Sequence, residues 1–295
     1  MNLLRPLFAL FLAVGLAASV AAPAAAQRSC GTETPSQAQL DEIFGSLGDG
    51  SNRSQAACPG TIVVAFHVIH NGPTGLLTAA EVNAQIQELN LNFAPRGYVF
   101  VLGVVTFTNN AAWFNLSTAA NELAMKTALA QAPAQTLNIY SCIPYGYLGF
   151  AYLPWSFPEA SVEHSVFIDY RTLPGGSFVP YDLGRTATHE VGHYLGLLHT
   201  FQGGCAGSGD QVADTPAEAT PTSGCPIGKD TCVSPGVDPI HNYMDYSDDL
   251  CYTEFTLGQG DRMCQMVNAY KPSLLSSGPT PARAEPWGRL KARYR

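Results

Sequence analysis

Alternating apolar and polar stretches divide the first two thirds of the chain into strands and helices. Residues 61–70 are apolar and rich in β-branched side chains, which predicts a buried strand. After it, Val82 and Ile86 recur at helical spacing, and Thr78 with Glu81 forms the capping box that begins a helix. The same reasoning predicts further strands at 98–107, 137–142, 146–153 and 165–170, and further helices at 117–131 and from about 183 onward.

The pattern changes after residue 200. From there to about residue 251 the chain is loop-like, with Gly, Pro, Asp and four cysteines, so we expect irregular structure. A last helix is predicted at 255–270, with Thr256 as its cap. The prediction is therefore an α/β fold. A mixed twisted sheet with helices forms the N-terminal half, and an irregular C-terminal half lies across a cleft from it.

The stretch 146–153 is short and is flanked by Gly and Pro, which is typical of a strand at the edge of a sheet. Such a strand can pair with an extended peptide through main-chain hydrogen bonds. An ordinary edge strand fits the same residues, and the sequence does not distinguish the two.

The two ends of the chain differ from its middle. Residues 1–26 carry a basic residue, an apolar run and three alanines at the end, which is the pattern of a secretory signal peptide. Residues 27–60 are polar and are interpreted as an N-terminal arm or pro-segment. The main domain is expected at 61–271. Residues 272–295 are Pro-rich and then basic, so we expect a disordered tail there.

Charge and cysteine content narrow the possible partners and the compartment. The formal net charge is −8, which makes nucleic acid and anionic membranes poor partners. No stretch after the signal peptide is long and apolar enough to span a bilayer. Export implies an oxidising compartment, where the eight cysteines would mostly form disulfides. We expect a secreted, extracellular monomer that binds neither nucleic acid nor membranes.

The stretch HEVGHYLGLLH at residues 189–199 carries the chemistry. On a helix, His189 and His193 lie on one face, close enough to bind one cation. Gly196 can adopt the left-handed conformation that ends a helix, so the chain can return His199 as a third ligand. Three imidazoles and an open position are typical of a catalytic zinc site. Glu190 would then be the general base for the attacking water.

Four segments, HEVGHYLGLLHTF, GGCAGSGDQVADTP, HNYMDYSDDLC and FTLGQGDRM, resemble the pappalysin family of metzincin metallopeptidases. The resemblance covers roughly residues 60–270 and is most specific over 186–264. Thr200, directly after the third histidine, fits this family. The resemblance implies the metzincin fold with a zinc cleft, secreted endopeptidase activity on proteins or peptides, a catalytic zinc, a structural calcium and a short pro-segment.

The resemblance also assigns site residues. His189, His193 and His199 would bind zinc, and Glu190 would be the base. Met244 would form an apolar floor beneath the metal. Tyr246 would donate a hydrogen bond to the transition state, with simple packing under the site as the alternative. The remaining histidines lack ligand spacing and are expected to be structural: His67, His70, His164 and His241.

A second function is compatible with the same fold. An inactive metzincin-fold protein could bind peptides or partners without cutting them. Such proteins usually lose the glutamate or a ligand, and this sequence retains all of them.

The resemblance implies the disulfides Cys205–Cys232 and Cys225–Cys251. For the other four cysteines, Cys142–Cys264 and Cys30–Cys58 is the simplest pairing. An alternative for Cys30 comes from Ser29-Cys30-Gly31-Thr32, which resembles a pro-segment motif whose thiolate caps the zinc in latent forms.

The loop after the third histidine is polar and suits calcium, which prefers six to eight oxygen ligands. Asp210, Asp214 and Thr215 are the calcium ligands that the resemblance implies, and a solvated loop is the alternative. Asp248 and Asp249 follow the predicted Met-turn. That turn is residues 242–246, a tight-turn sequence that carries Met244 and is expected in metzincins. The two aspartates would favour a basic residue after the cut if they faced the substrate pocket, although solvation or calcium binding fits them as well.

Overall fold

The computed structural model describes residues 29–47, 58 and 60–275. The predicted signal peptide at 1–26 lies outside the described residues, as does the chain from residue 276 onward. None of the helices in the described part of the chain is long and apolar enough to cross a membrane.

A mixed sheet forms the centre of the N-terminal half, as predicted. Its strand order is β2-β1-β4-β6-β5, and a short strand, β3, pairs with β4 beside this path. All pairs are parallel except β5 with β6, which is antiparallel, and β5 is an edge strand, as its Gly and Pro flanks indicated. The bounds are Gly60–His70 (β1), Tyr98–Asn109 (β2), Asn115–Leu116 (β3), Thr136–Pro144 (β4), Gly149–Ala151 (β5) and Val166–Asp169 (β6).

Six α-helices accompany the sheet among the described residues. They are Gln37–Leu47 (α1), Ala79–Phe93 (α2), Ala111–Phe114 (α3), Ala119–Leu129 (α4), Arg185–Tyr194 (α5) and Leu257–Tyr270 (α6). Three-residue 3₁₀ helices lie at Ala94–Arg96, Tyr170–Thr172 and Asp249–Cys251. The capping boxes at Thr78 and Thr256 are both present. Helix α4 is capped by Thr118, whose hydroxyl accepts from the amide of Asn121.

The central strands are buried on both faces, which explains their continuous apolar sequences. Alternate residues of β1, such as Val64 and Phe66, pack into a core with α2 and α5. Ile69 of β1 packs on the other side, in a cluster with α3 and α4. The irregular half closes over α5 with Met244 and Phe255, so the sheet, α5 and this half share one core.

The structure differs from the sequence prediction near both ends of the described residues. Helix α1 forms inside the segment that was interpreted only as a polar arm. It has just two buried residues, Leu40 and Leu47, so its apolar stripe is too narrow to read from the sequence. At the other end, Leu274 is fully buried in the main core, so packed structure continues past the predicted boundary at residue 271.

The disulfides agree with the resemblance in the irregular half and differ elsewhere. Cys205–Cys232 and Cys225–Cys251 are formed. The predicted pairs Cys142–Cys264 and Cys30–Cys58 are wrong, because Cys58 is bonded to Cys264 instead. Cys142 lies in strand β4, enclosed by an apolar cluster, while Cys58 precedes β1 beside helix α6. Cys30 and Cys142 are free thiols.

Candidate active site

Helix α5 brings the first two histidines and the glutamate into the core. Every residue from Thr186 to Tyr194 is buried. The residue at its N-cap is Gly184, which has no side chain to cap the helix. Asp249 replaces that cap from a distant part of the chain, because its carboxylate accepts from the amides of Leu183 (2.9 Å) and Arg185 (3.4 Å). The irregular half therefore fixes the start of the helix.

Gly196 ends the helix and reverses the chain. Its φ of +97° lies in the left-handed region, and its amide donates to the carbonyl of His193. A β-carbon there would come within 2.4 Å of Met266 Cγ, so both the conformation and the space require glycine. The turn returns His199 to the face of α5 that carries His189 and His193, as the spacing predicted.

The three imidazoles converge on one point. His193 Nε2 lies 3.1 Å from His189 Nε2 and 3.1 Å from His199 Nε2, and each side chain is nearly or fully buried. The Nδ1 atoms of His189 and His193 face the carbonyls of Tyr243 (2.7 Å) and Leu197 (2.8 Å). A carbonyl only accepts, so each Nδ1 carries the proton.

The electrostatics of this cluster fit a metal cation. With the proton on Nδ1, the facing Nε2 atoms of His189 and His193 are both acceptors and cannot hydrogen-bond each other. Burial lowers the pKa of His193 to about 4 and lowers that of His199, so both rings are neutral at pH 7. Neutral Nε2 atoms held at this spacing are the donors that zinc prefers.

Glu190 lies between the histidines and the edge of the sheet. It is 1% exposed, and its Oε2 accepts from the hydroxyl of Thr32 at 3.1 Å. Its side chain packs against the backbone of Gly149 in β5, where a β-carbon would lie 2.7 Å from Glu190 Cγ. The carboxylate is thus directly beside the edge strand to which an extended peptide could pair.

Cys30 from the N-terminal arm lies beside the three histidines and Glu190. Its Sγ and the ring nitrogens of the three histidines all lie within 4.8 Å of one another. Sγ also donates to Glu190 Oε2 at 3.4 Å, and Cys30 forms a parallel bridge with Gly149. Burial, with the Glu190 carboxylate next, raises the pKa of the Cys30 thiol. The arm therefore contacts the edge strand β5 and the Glu190 carboxylate together.

The Met-turn packs against helix α5 and the segment that carries His199. Met244 is fully buried, its sulfur packs against Gly192 of α5, and its carbonyl accepts from the amide of Thr200. Tyr246 is partly buried, with its ring 5.1 Å from that of His199.

Phe201 was not identified from the sequence. Its ring stacks on His199, with centroids 4.7 Å apart and planes 12° apart, and it also contacts Tyr246. A single aromatic residue in an irregular loop gives no periodic signal, so only its position two residues after the third histidine could have suggested this role.

The four remaining histidines lie away from this cluster and bond to other groups. His67 contacts Thr106 and Asn138, whereas the other three face backbone carbonyls: His70, His164 and His241. These contacts are structural, as expected from their spacing.

In the loop expected to bind calcium, the two aspartates have different surroundings. Asp210 is buried, and its carboxylate and the Thr215 hydroxyl lie near each other, but Asp210 Oδ2 and Thr215 Oγ1 form no well-aligned hydrogen bond with any described residue. Burial raises the pKa of Asp210 to about 7. Asp214 is already engaged, because its two oxygens accept from the Thr256 hydroxyl and the Gly258 amide at the start of α6.

Comparison with known proteins identifies relatives along most of the chain. The peptidase M43 family model, described as pregnancy-associated plasma protein-A, matches residues 147–268. An extracellular metalloprotease of Sordaria macrospora is 43% identical over 281 residues, which cover 87% of this chain and 96% of the relative. Extracellular metalloprotease 1 of Coccidioides posadasii is 41% identical, covering 86% of this chain and 94% of the relative.

Solved structures agree with the sequence relatives. A mutant of promirolysin from Tannerella forsythia has a TM-score of 0.70 at 28% identity, covering 83% of this chain and 95% of that one. Mature mirolysin in complex with a cleaved peptide has a TM-score of 0.63 at 29% identity, covering 76% of this chain and 100% of that one. With its three converging histidines and the buried glutamate beside them, this chain belongs to the M43 family of metzincin metallopeptidases, the pappalysins.

Proposed function

We propose that this protein is a secreted zinc endopeptidase that cuts peptide bonds in proteins or peptides held along β5. One observation carries the proposal: the Nε2 atoms of three buried imidazoles converge beside the buried carboxylate of Glu190. Relatives named extracellular metalloproteases support the activity and the location outside the cell. Mirolysin with a cleaved peptide supports a peptide substrate.

Each residue has a separate task in this proposal. His189, His193 and His199 would hold zinc, with the Nδ1 contacts of the first two fixing their tautomers. Bound there, zinc would act as a Lewis acid that makes water nucleophilic near neutral pH. Glu190 would take the proton of the attacking water and pass it to the leaving amine. Met244 supports the ligands from below, and Tyr246 would donate to the oxygen that becomes negative.

The edge strand explains how a substrate could be aligned. The outer edge of β5 bonds to the arm, with the Gly31 amide donating to the Gly149 carbonyl and the Thr32 hydroxyl accepting from the Ala151 amide. A substrate main chain could use the same groups once the arm has left. Its scissile carbonyl would then lie beside Glu190.

The position of the arm supports a latent form of the chain. Cys30 occupies the place beside the three histidines and donates to the general base. We propose that the arm is a pro-segment and that the Cys30 thiolate would be the fourth ligand of a bound zinc. Helix α1 supports this position, because Leu40 packs with Leu153 and Leu198 of the main domain.

Calcium is a second proposed ion. The buried Asp210 carboxylate and Thr215 hydroxyl, with nearby carbonyls, would provide part of its oxygen set. Asp214 would contribute indirectly, because it already anchors the start of α6.

The function is tested with Glu190→Ala in the full-length chain, in a Cys30→Ala background that removes the blocking thiol. Ligation and base function lie on different residues. We therefore expect the double variant to keep one zinc per chain and to lose nearly all casein digestion relative to Cys30→Ala alone. If the double variant digests casein at most of the control rate, Glu190 is not the base and the proposal fails. A peptide-binding protein without activity would show no digestion in either form.

A further inference from the structure

A buried ion-pair cluster lies behind the third histidine and has no part in the chemistry described so far. Lys229 Nζ contacts Glu218 Oε1 at 2.7 Å and Asp238 Oδ2 at 3.2 Å. The two acids are 0% and 2% exposed. Lys229 also donates to the Thr220 carbonyl (2.7 Å) and the Thr222 hydroxyl (3.0 Å), so its ammonium group is surrounded by acceptors.

The cluster is bonded to the residue next to His199. The Thr200 hydroxyl donates to Glu218 Oε2 at 2.9 Å, and the Thr200 amide faces the Met244 carbonyl at 3.3 Å. Thr200 is 2% exposed. Its side chain is thus held by the cluster and its main chain by the Met-turn, which leaves His199 little freedom to move away from the other two imidazoles.

The ammonium of Lys229 offsets buried negative charge in this cluster. Glu218 is close to another buried acid, Asp245, and burial together with Asp245 raises the pKa of Glu218. Hydrogen bonds from Lys229, Thr222 and Thr200 favour its ionised form instead. Removing the cation would leave buried negative charge without compensation, and the structure would have to rearrange around Glu218.

We propose that Lys229, Glu218 and Thr200 form a positioning chain that holds His199 in zinc-binding geometry. The ammonium fixes the glutamate, the glutamate fixes the threonine hydroxyl, and the threonine fixes the backbone of the ligand. The proposal rests on the zinc site proposed above. In metal sites, groups that orient a ligand typically change metal affinity about tenfold to a hundredfold when they are removed.

The test measures the zinc dissociation constant of the full-length protein by competition with a chromogenic chelator. Thr200→Val removes only the hydroxyl at nearly constant shape, and Thr200→Ser restores it. Lys229→Met removes the ammonium. Lys126→Met is the control, because Lys126 also forms an ion pair with a buried acid, Glu122, at 2.6 Å, and lies on α4 without contact to the ligands. Its side chain is 1% exposed, against 17% for Lys229, so the control removes an ammonium that is buried even more deeply. Near-UV circular dichroism verifies that each variant is folded.

We expect Thr200→Val and Lys229→Met to weaken zinc binding about tenfold to a hundredfold. Thr200→Ser should restore wild-type affinity, and Lys126→Met should leave affinity unchanged even if it lowers the melting temperature. The proposal is overturned if Thr200→Val binds zinc within about twofold of wild type, or if Lys126→Met weakens binding as much as Lys229→Met does. If Lys229→Met does not fold, the comparison of Thr200→Val with Thr200→Ser is sufficient to test the proposal. Failure of the wild-type protein to bind zinc would instead refute the zinc site itself.

Discussion

The surroundings of Tyr246 fit two roles, packing beneath the site or donation of a hydrogen bond to the transition state. Its ring lies 5.8 Å from His189 and 5.1 Å from His199, and Phe201 packs against it at 4.9 Å. These contacts alone could serve packing. Tyr246 is nevertheless only partly buried, so its side chain is not confined to a packing role by burial.

Tyr246→Phe separates these roles, because it keeps the ring and removes only the hydroxyl. We expect kcat to fall about tenfold to a hundredfold with little change in KM, since the hydrogen bond would form mainly in the transition state. The measurement is steady-state hydrolysis of a peptide in the Cys30→Ala background. A rise in KM with kcat intact would assign Tyr246 to substrate binding, and unchanged kinetics would leave it a packing residue.

At the residue scale, the sequence predicts side chains whose spacing is set by a helix or a tight turn. His189, Glu190 and His193 follow from helical geometry, and His199 follows from the glycine that ends the helix. Contacts between distant parts of an irregular loop have no such period. The stacking of Phe201 on His199 and the bond between Thr200 and Glu218 are of this kind.

At the element scale, the N-terminal arm lies along the edge of the sheet, beside the three histidines. It places Cys30 beside the histidines, bridges to β5 and continues into α1. The sequence indicated the arm and offered the zinc-capping role as one of two alternatives for Cys30. It did not predict α1, because that helix buries few residues and depends on docking against the main domain.

Cys30→Ala is expected to shorten or abolish the lag before peptide hydrolysis, because the thiol that blocks the site and contacts Glu190 is gone. The initial rate of freshly purified full-length protein measures this. Cys142→Ala is the matched control, since Cys142 is the other free cysteine and lies buried in β4. If both variants show the wild-type lag, Cys30 does not maintain latency.

At the scale of the whole molecule, two disulfides lie within the irregular half, and a third joins the segment before β1 to α6. The α/β architecture and the edge position of β5 could be predicted, because apolar runs and helical spacing are local signals. The pairing of Cys58 with Cys264 could not be predicted, because it depends on which distant segments of the chain meet in the folded protein. The same limit applies to Asp249, which caps a helix more than sixty residues before it.

Calcium is expected to stabilise the molecule in a pH-dependent way. The pKa of Asp210 is raised by burial to about 7 in the folded protein, from 3.8 ordinarily. Folding therefore favours its protonated form, and without calcium its contribution to stability is lost as the pH rises from about 4 through 7. Calcium would bind the ionised form, so it should raise the melting temperature more at pH 8 than at pH 5.

Thermal unfolding with and without calcium at the two pH values measures this effect. Asp210→Asn should remove both the calcium response and this part of the pH dependence, and magnesium should not substitute. A melting temperature at pH 8 that is indifferent to millimolar calcium would show that the loop is not a calcium site.

Three imidazoles would bind one catalytic zinc, and Cys30 would complete the ligand set in the latent form. X-ray absorption at the zinc edge measures those ligands directly. For the full-length protein we predict three nitrogen ligands at about 2.0–2.1 Å and one sulfur at about 2.3 Å. In Cys30→Ala the sulfur should be replaced by a light atom while the three nitrogens remain. A spectrum without imidazole ligands, or one whose sulfur persists in Cys30→Ala, would contradict the account.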